Sequence, residues 1–387
     1  MPENWNPFAN SYVQTTLDLE LLKSEVGQRF PFYDFRFNAN TAAFYCRIDK
    51  ERLEENFDDL RRALFEKGYI PMLRYDKGEH IIFITKKPKR KERPVWVNYF
   101  LLIAVLITTI LTGSIIYMGE FAIWDPDVGL MVEPMKIFSL ENLFFGAVLF
   151  AIPLMSILII HEMGHYYISK KHGISTSLPF FIPIPPILPS FNIGTFGALI
   201  SSHEPMPNKK ALFDVGIAGP IAGFIVAVPV TIIGILIADP VQNITSIEQI
   251  APGETVFGSS ILLEFLVGVF RDLPSGYTID MNPVLFAGWV GLLITSLNLL
   301  PAGQLDGGHV FRAILGEKQR YAGWAAVVVM IFTGWWFFAF LIIFLMGTMH
   351  PPPLNDDTKI DTKRQLLFLV AIAILLLSFI PYPIYVG

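Results

Sequence analysis

Five consecutive residues, His161-Glu162-Met163-Gly164-His165, have the types and spacing of a hydrolytic metal site. On a helix, positions i and i+4 lie one turn apart on the same face, so two imidazoles can share one ion. Glu162 lies three residues from His165, near that face, where its carboxylate can take a proton from an attacking water. Gly164 leaves room for a second backbone to come close. The chain has one cysteine, Cys46, which allows neither an internal disulfide nor a cysteine cluster. A metal must therefore be held by His, Asp or Glu.

Catalytic zinc takes three protein ligands and leaves one position open. The third is expected from Asn298-Leu-Leu-Pro301-Ala-Gly-Gln-Leu-Asp306-Gly307-Gly308-His309. Pro301 and Gly303 break the preceding helix. Asp306 is then expected on unwound backbone, free to turn its carboxylate toward the ion, and Asn298 offers a side-chain donor in the same stretch. Asp-Gly-Gly alone reads as a simple turn; the missing ligand favours the metal reading. His172, His203 and His350 have no partner spacing and read as surface or loop residues.

The elements that must position these groups are apolar. Hydrophobic residues make up 53% of the 387 and charged residues 16%, against about 25% charged in soluble domains. The expected fold is a polytopic all-α membrane protein with a small N-terminal α+β soluble domain. A bilayer crossing needs about 20 apolar helical residues. Six spans are expected, at about 96–118, 143–168, 211–238, 283–300, 322–347 and 365–385, the fourth being short. They form a membrane domain over 95–387. The motif falls inside the second span, where ionisable groups are costly and functional. His161 lies nine residues before Lys170, about 14 Å of helical rise, which puts the site nearer the side to which Lys170 and Lys171 belong. Lys209, Lys210, Lys318 and Arg320 fall on the same, cytosolic, side by the positive-inside rule. The chain is expected to be a multi-pass protein of the cell membrane, with both termini cytosolic. The basic residues within His350–Arg364 are the exception, since six spans put them outside.

Residues 177–202 are apolar but hold Pro179, Pro183, Pro185, Pro186 and Pro189, so they are not a membrane helix. Non-helical backbone at that depth must be buried in protein or line a wet cavity, and the segment reads as a surface loop or a re-entrant hairpin near a site. Residues 1–94 read as a soluble cytosolic domain and a basic linker. No signal peptide is expected. A strand at 41–48, a helix at 50–67 with Asp49 as N-cap and Gly68 past its end, and a hairpin across Asp76-Lys77-Gly78 make a β-α-β-β module. It is expected to filter substrates or regulate the site, or only to pack. Lys86, Lys87, Lys89, Arg90, Lys91 and Arg93 precede the first span and mark its cytosolic end. The net charge of −5 argues against nucleic acid as partner.

These residues resemble the site-2 protease family of intramembrane metalloproteases. His161-Glu162-x-x-His165 is similar to its first motif, and Asn298-x-x-Pro301-x-x-x-x-Asp306-Gly307 to its second. Leu178-Pro-Phe-Phe181 with Gly194-Thr195-Phe196-Gly197-Ala198 resembles the hairpin of its archaeal, cyanobacterial and plastid branch. Gly216-Ile-Ala-Gly219-Pro220 resembles the small-residue motif of its third core helix, and His350-Pro-Pro-Pro-Leu-Asn-Asp356 fits the same branch. The resemblance covers about 95–387, and no loop is long enough for an inserted PDZ domain.

The resemblance implies Zn2+ on His161, His165 and Asp306, with Glu162 as general base. It also implies that Asn298 positions substrate or steadies the tetrahedral intermediate. The expected reaction is peptide-bond hydrolysis in transmembrane segments of other membrane proteins within the lipid bilayer. Gly194–Ala198 would receive the unwound substrate by strand addition. Two alternatives stay open: a membrane zinc protease trimming soluble or lipidated substrates, and a non-enzymatic zinc-dependent scaffold or transporter. The latter should show paired broken helices.

Overall fold

A computed structural model describes residues 17–88, 94–119, 124–125, 129–130, 133–186, 193–200, 204–242 and 255–386. The basic residues 89–93, His203 and the hairpin residues 187–192 and 201–202 lie outside them. The chain divides into two compact units. The first is Met1–Glu92 with Glu204–Leu212 and Pro351–Asp361, and the second is Arg93–His203, Phe213–His350 and Thr362–Gly387.

The first unit begins with α1 (Leu19–Gly27), β1 (Phe32–Phe37), β2 (Thr41–Cys46), α2 (Leu53–Glu66), β3 (Tyr69–Asp76) and β4 (Glu79–Lys86). The strands form one antiparallel sheet in the order β1-β2-β4-β3. The apolar spacing of α2 buries Leu53, Phe57, Leu60 and Leu64 in one cluster with Phe44, Leu73, Ile82 and Ile84. Lys77 and Gly78 both take positive φ, 48° and 89°, which closes the β3–β4 hairpin tightly. Helix α2 starts later than the sequence suggests. Asp49 accepts from the Glu51 N–H and caps a turn instead. Helix α1 and strand β1 were not expected. Asp18 caps α1 by accepting from the Leu21 N–H, and β1 pairs with β2 from Ala42 to Cys46, with a bulge between Phe32 and Asp34. Cys46 is buried, and burial pushes its thiol up to about 12, so it remains a protonated core residue.

Two distant segments complete this sheet. The Leu73 N–H donates to the Leu354 carbonyl at 2.8 Å, and Leu73 and Asn355 form a parallel bridge. Asn355 in turn bridges Asn208. Leu354 joins the α2 core cluster, and Arg74 Nη1 donates to the carbonyls of Pro353 and Leu354.

The second unit contains α3 (Trp96–Tyr117), β5 (Trp124–Asp125), β6 (Gly129–Leu130), α4 (Pro134–Ile137), α5 (Leu140–Gly146) and α6 (Ile152–Lys171). Then follow β7 (Phe180–Pro183), β8 (Thr195–Leu199), α7 (Lys209–Ile237, from Phe213 onward in this unit), β9 (Pro240–Gln242), β10 (Thr255–Phe257), α8 (Ile261–Phe270) and β11 (Tyr277–Ile279). The remainder is α9 (Pro283–Asn298), α10 (Asp306–Leu315), α11 (Gln319–Phe332), α12 (Trp336–Leu341), α13 (Thr362–Ser378) and β12 (Ile384–Val386). Helices α5 and α6 join through a π-helical stretch, Ala147–Ala151. Pro153, which cannot donate within the helix, sits just beyond it.

Among the described residues, three helices are long and apolar enough to cross a membrane: Trp96–Tyr117, Leu140–Lys171 and Lys209–Ile237. The expected span at 283–300 is the shorter α9, because Asn298 ends the helix before Pro301. The span expected at 322–347 is two antiparallel helices. Gly334 turns the chain at φ 81°. Gln319 Nε2 then donates to both the Pro301 and Thr348 carbonyls, so the end of the returning arm lies beside the start of α11. The range 322–347 is therefore not one continuous helix.

The Arg364 end of the basic segment before α13 has a defined place in this unit. Arg364, at the start of α13, bonds Asp214 of α7, which also meets His172 at the end of α6. The Arg364 end of the segment thus shares the end of the unit where Lys170 and Lys171 lie. At the far end of α13, β12 pairs with β10. Asn98 near the start of α3 donates to the Leu178 carbonyl just after α6. The start of α3 and β12 thus fall at opposite ends of this unit.

Candidate metal centre

Helix α6 places His161, Glu162 and His165 in the interior, each less than a tenth exposed. The third group arrives from the break after α9. Leu299–Leu305 is a turn in which Gly303 takes φ 56°, and Asp306 opens α10 rather than lying on unwound chain. The turn is tight: a Cβ on Gly307 would sit 2.1 Å from the Leu299 carbonyl oxygen. An acid in the first turn suits the N-terminal end of a helix dipole.

His161 Nε2 and His165 Nε2 lie 3.1 Å apart, and Asp306 Oδ2 is 3.2 Å from each. Tetrahedral ligands about 2.0–2.1 Å from zinc stand about 3.3 Å from one another, so this triangle fits one shared ion. The three residues are the metal-holding group found among the described residues. Asn298 Nδ2 lies 3.4 Å from His161 Nε2, at the same corner. Glu162 is neither hydrogen-bonded nor ion-paired to a described residue, leaving its carboxylate unengaged beside the triangle.

The His165 ring is oriented from behind. Its Nδ1 lies 2.7 Å from the Val215 carbonyl, which can only accept, so Nδ1 carries the proton and Nε2 offers its lone pair to the triangle. Helix α7 approaches closely enough to do this because it is glycine-faced. A Cβ on Gly219 would lie 2.0 Å from His165 Nε2, one on Gly223 3.1 Å from His161 Nδ1, and one on Gly216 2.6 Å from His309 Cβ. Gly164 answers from α6, where a Cβ would meet the Ala218 carbonyl at 2.7 Å. Gly219→Ala is accordingly expected to displace the His165 ring and weaken zinc binding at least about tenfold, read by chelator competition on the folded chain. Unchanged affinity would remove this glycine from the site.

The five hairpin residues lie on or beside β8. Gly194 takes φ 80°, and its carbonyl accepts from Thr108 Oγ1, midway along α3. Thr195 is buried, with its hydroxyl donating to the Ile182 carbonyl. Phe196 and Gly197 form a bulge opposite Ile182, so that Ala198 pairs with Phe181 and Thr195 with Pro183. Phe196 is 75% exposed. Strand β8 packs beside α6, and β7 is its one strand partner among the described residues.

Two histidines read as surface residues are not so placed. His350 is buried and packs against the His309 ring at 4.1 Å. His172 is paired with Asp214. Neither contact has a sequence signal, since both join segments far apart in the chain. The Val215 carbonyl carries none either, being backbone.

Residues 149–343 match the family model described as Peptidase family M50. Among curated proteins, the chain is 27% identical to the probable zinc metalloprotease EGY1, chloroplastic, of Oryza sativa subsp. japonica. That match covers 59% of this chain and 39% of the rice protein. It is 26% identical to the Arabidopsis thaliana protein of the same name, over 66% of this chain and 46% of that protein. It is 30% identical to the probable zinc metalloprotease EGY2, chloroplastic, of Arabidopsis thaliana, over 58% and 40%. The chain spans less than half the length of these relatives. No solved structure matches it.

Proposed function

The chain belongs to peptidase family M50, the site-2 protease family, and from that premise we propose that it is a zinc metalloprotease cutting transmembrane segments of other membrane proteins. His161, His165 and Asp306 hold the ion and Glu162 is the general base. The observation that carries this reading is the convergence of three ligand atoms from two separate segments, within 4.8 Å of one another, inside an apolar bundle.

Bound zinc supplies a Lewis acid that lowers the pKa of water toward about 7 and offsets negative charge at the scissile carbonyl. Glu162 takes the proton from the attacking water and passes it to the leaving amine nitrogen. Asn298, at the His161 corner, donates from Nδ2 to the carbonyl oxygen as charge builds there. The Val215 carbonyl keeps the His165 proton on Nδ1, away from the reacting atoms.

A helical substrate hides its carbonyls in hydrogen bonds and must unwind before attack. Strand β8 is suited to receive it. The anchor of Gly194 on Thr108 supports a re-entrant hairpin at mid-helix depth, and among the described residues the edge of β8 away from β7 has no strand partner, as strand addition requires. Phe196→Pro disturbs that edge without touching a ligand. It is expected to lower cleavage about tenfold, the equivalent of one main-chain hydrogen bond, with zinc content unchanged. Equal cleavage rates would end the strand-addition reading.

The end of the second unit bearing Lys170, Lys171 and Arg364 faces the cytosol, in a multi-pass protein. The test is the full chain in zinc-loaded proteoliposomes with a single-span reporter protein. Fragment masses are expected to place the cut inside the reporter's apolar segment, with cleavage lost to a chelator and restored by zinc. Cuts confined to the reporter's soluble region would contradict the substrate class.

A further inference from the structure

Three helix ends of the second unit meet at one carboxylate. His172, following α6, donates from Nε2 to Asp214 Oδ2 at 2.9 Å. Arg364, in the first turn of α13, donates from Nε to Asp214 Oδ1 at 2.7 Å and from Nη2 to Oδ2 at 2.5 Å. All three side chains are between a fifth and a quarter exposed. The forked guanidinium fixes the plane of the carboxylate as well as its position.

Asp214 immediately precedes Val215, whose carbonyl orients His165. Neighbouring residues of α7 thus grip α6 at two points, His165 and His172. These are seven residues apart, about 10.5 Å of helical rise. With both gripped, α7 cannot slide along α6 or rotate about it without breaking a contact. The fit tolerates little movement, because Gly219, one turn after Val215, already lies against the His165 ring.

We propose that Asp214 is a positioning residue for the zinc ligand His165, acting through the register of α7 on α6. The proposal rests on the reading that His161, His165 and Asp306 hold zinc. Asp214 touches neither the ion nor a substrate. It holds the Val215 carbonyl where the His165 Nδ1 proton needs an acceptor. When that acceptor shifts, the ring can turn or take its other tautomer, and the Nε2 lone pair leaves the triangle.

The experiment uses the full chain in detergent or nanodiscs, with zinc affinity measured by chelator competition. The visible spectrum of the cobalt-loaded protein and the thermal midpoint are recorded alongside. The wild type is expected to bind one zinc. Asp214→Asn keeps the shape and removes the charge, and is expected to bind zinc about 10–100-fold more weakly with an altered cobalt spectrum. Wild-type affinity and spectrum in this variant overturn the proposal, even if its thermal midpoint falls, because a merely structural role would give that result. If Asp214→Asn does not accumulate as folded protein, Arg364→Gln takes its place with the same two outcomes. A wild-type chain that binds no zinc overturns the metal reading itself, which keeps the two failures distinct.

Discussion

Glu162→Gln is expected to keep zinc near the wild-type level and to lower peptide-bond hydrolysis about 100- to 10,000-fold, the range ascribed to a positioned acid–base group. The substitution preserves side-chain size in a buried position, so packing around α6 changes little. His161, His165 and Asp306 are untouched, and so is the triangle they form. What is lost is the one unengaged carboxylate at the site, and with it the acceptor for the water proton and its delivery to the leaving nitrogen. Metal content and cleavage rate should be read on the same preparation. Cleavage retained alongside bound zinc would assign the base elsewhere.

Asp306→Asn is expected to act on binding rather than on the proton. A neutral amide is a poorer ligand than a carboxylate, and it offsets none of the charge of a divalent ion. Changing a hydrogen-bond partner of a ligand costs about 10–100-fold in affinity, so changing the ligand itself should cost more than about 100-fold. Part of any loss of stability belongs to α10, because an acid in its first turn contributes about 0.3–1 kcal/mol against the helix dipole. Chelator competition separates the two effects, since only the ligand role moves zinc affinity in chain that remains folded. Wild-type affinity in Asp306→Asn would mean that the third ligand comes from another segment.

Side-chain spacing made most of this site legible in the sequence, whereas its supports are backbone or small-residue contacts. His161 and His165 declare themselves because i and i+4 share a helical face. Asp306 is legible through the chain break that Pro301 and Gly303 impose, although the residue opens a new helix. The Val215 carbonyl has no residue signature. Gly219 and Gly223 stand out only as small residues until the helix they face is known.

Continuous hydropathy hid the turn between α11 and α12. Thr333 and Gly334 interrupt an apolar run too briefly to divide it by composition, so one long span was expected where two short helices fold back. The basic residues of 350–364 were the one exception that the six-span reading carried. The sheet of the first unit was legible as far as β3 and β4, but Leu354 and Asn355 join it through backbone pairing across some 280 residues. Local pattern cannot report such a contact.

X-ray absorption at the zinc edge of the purified full chain tests the metal centre most directly. The expected spectrum is one zinc per chain with two imidazole nitrogens and a carboxylate oxygen at about 2.0–2.2 Å, and a further light-atom ligand in the open position. A shell containing sulfur at about 2.3 Å, a shell without imidazole, or a chain that retains no zinc would contradict it.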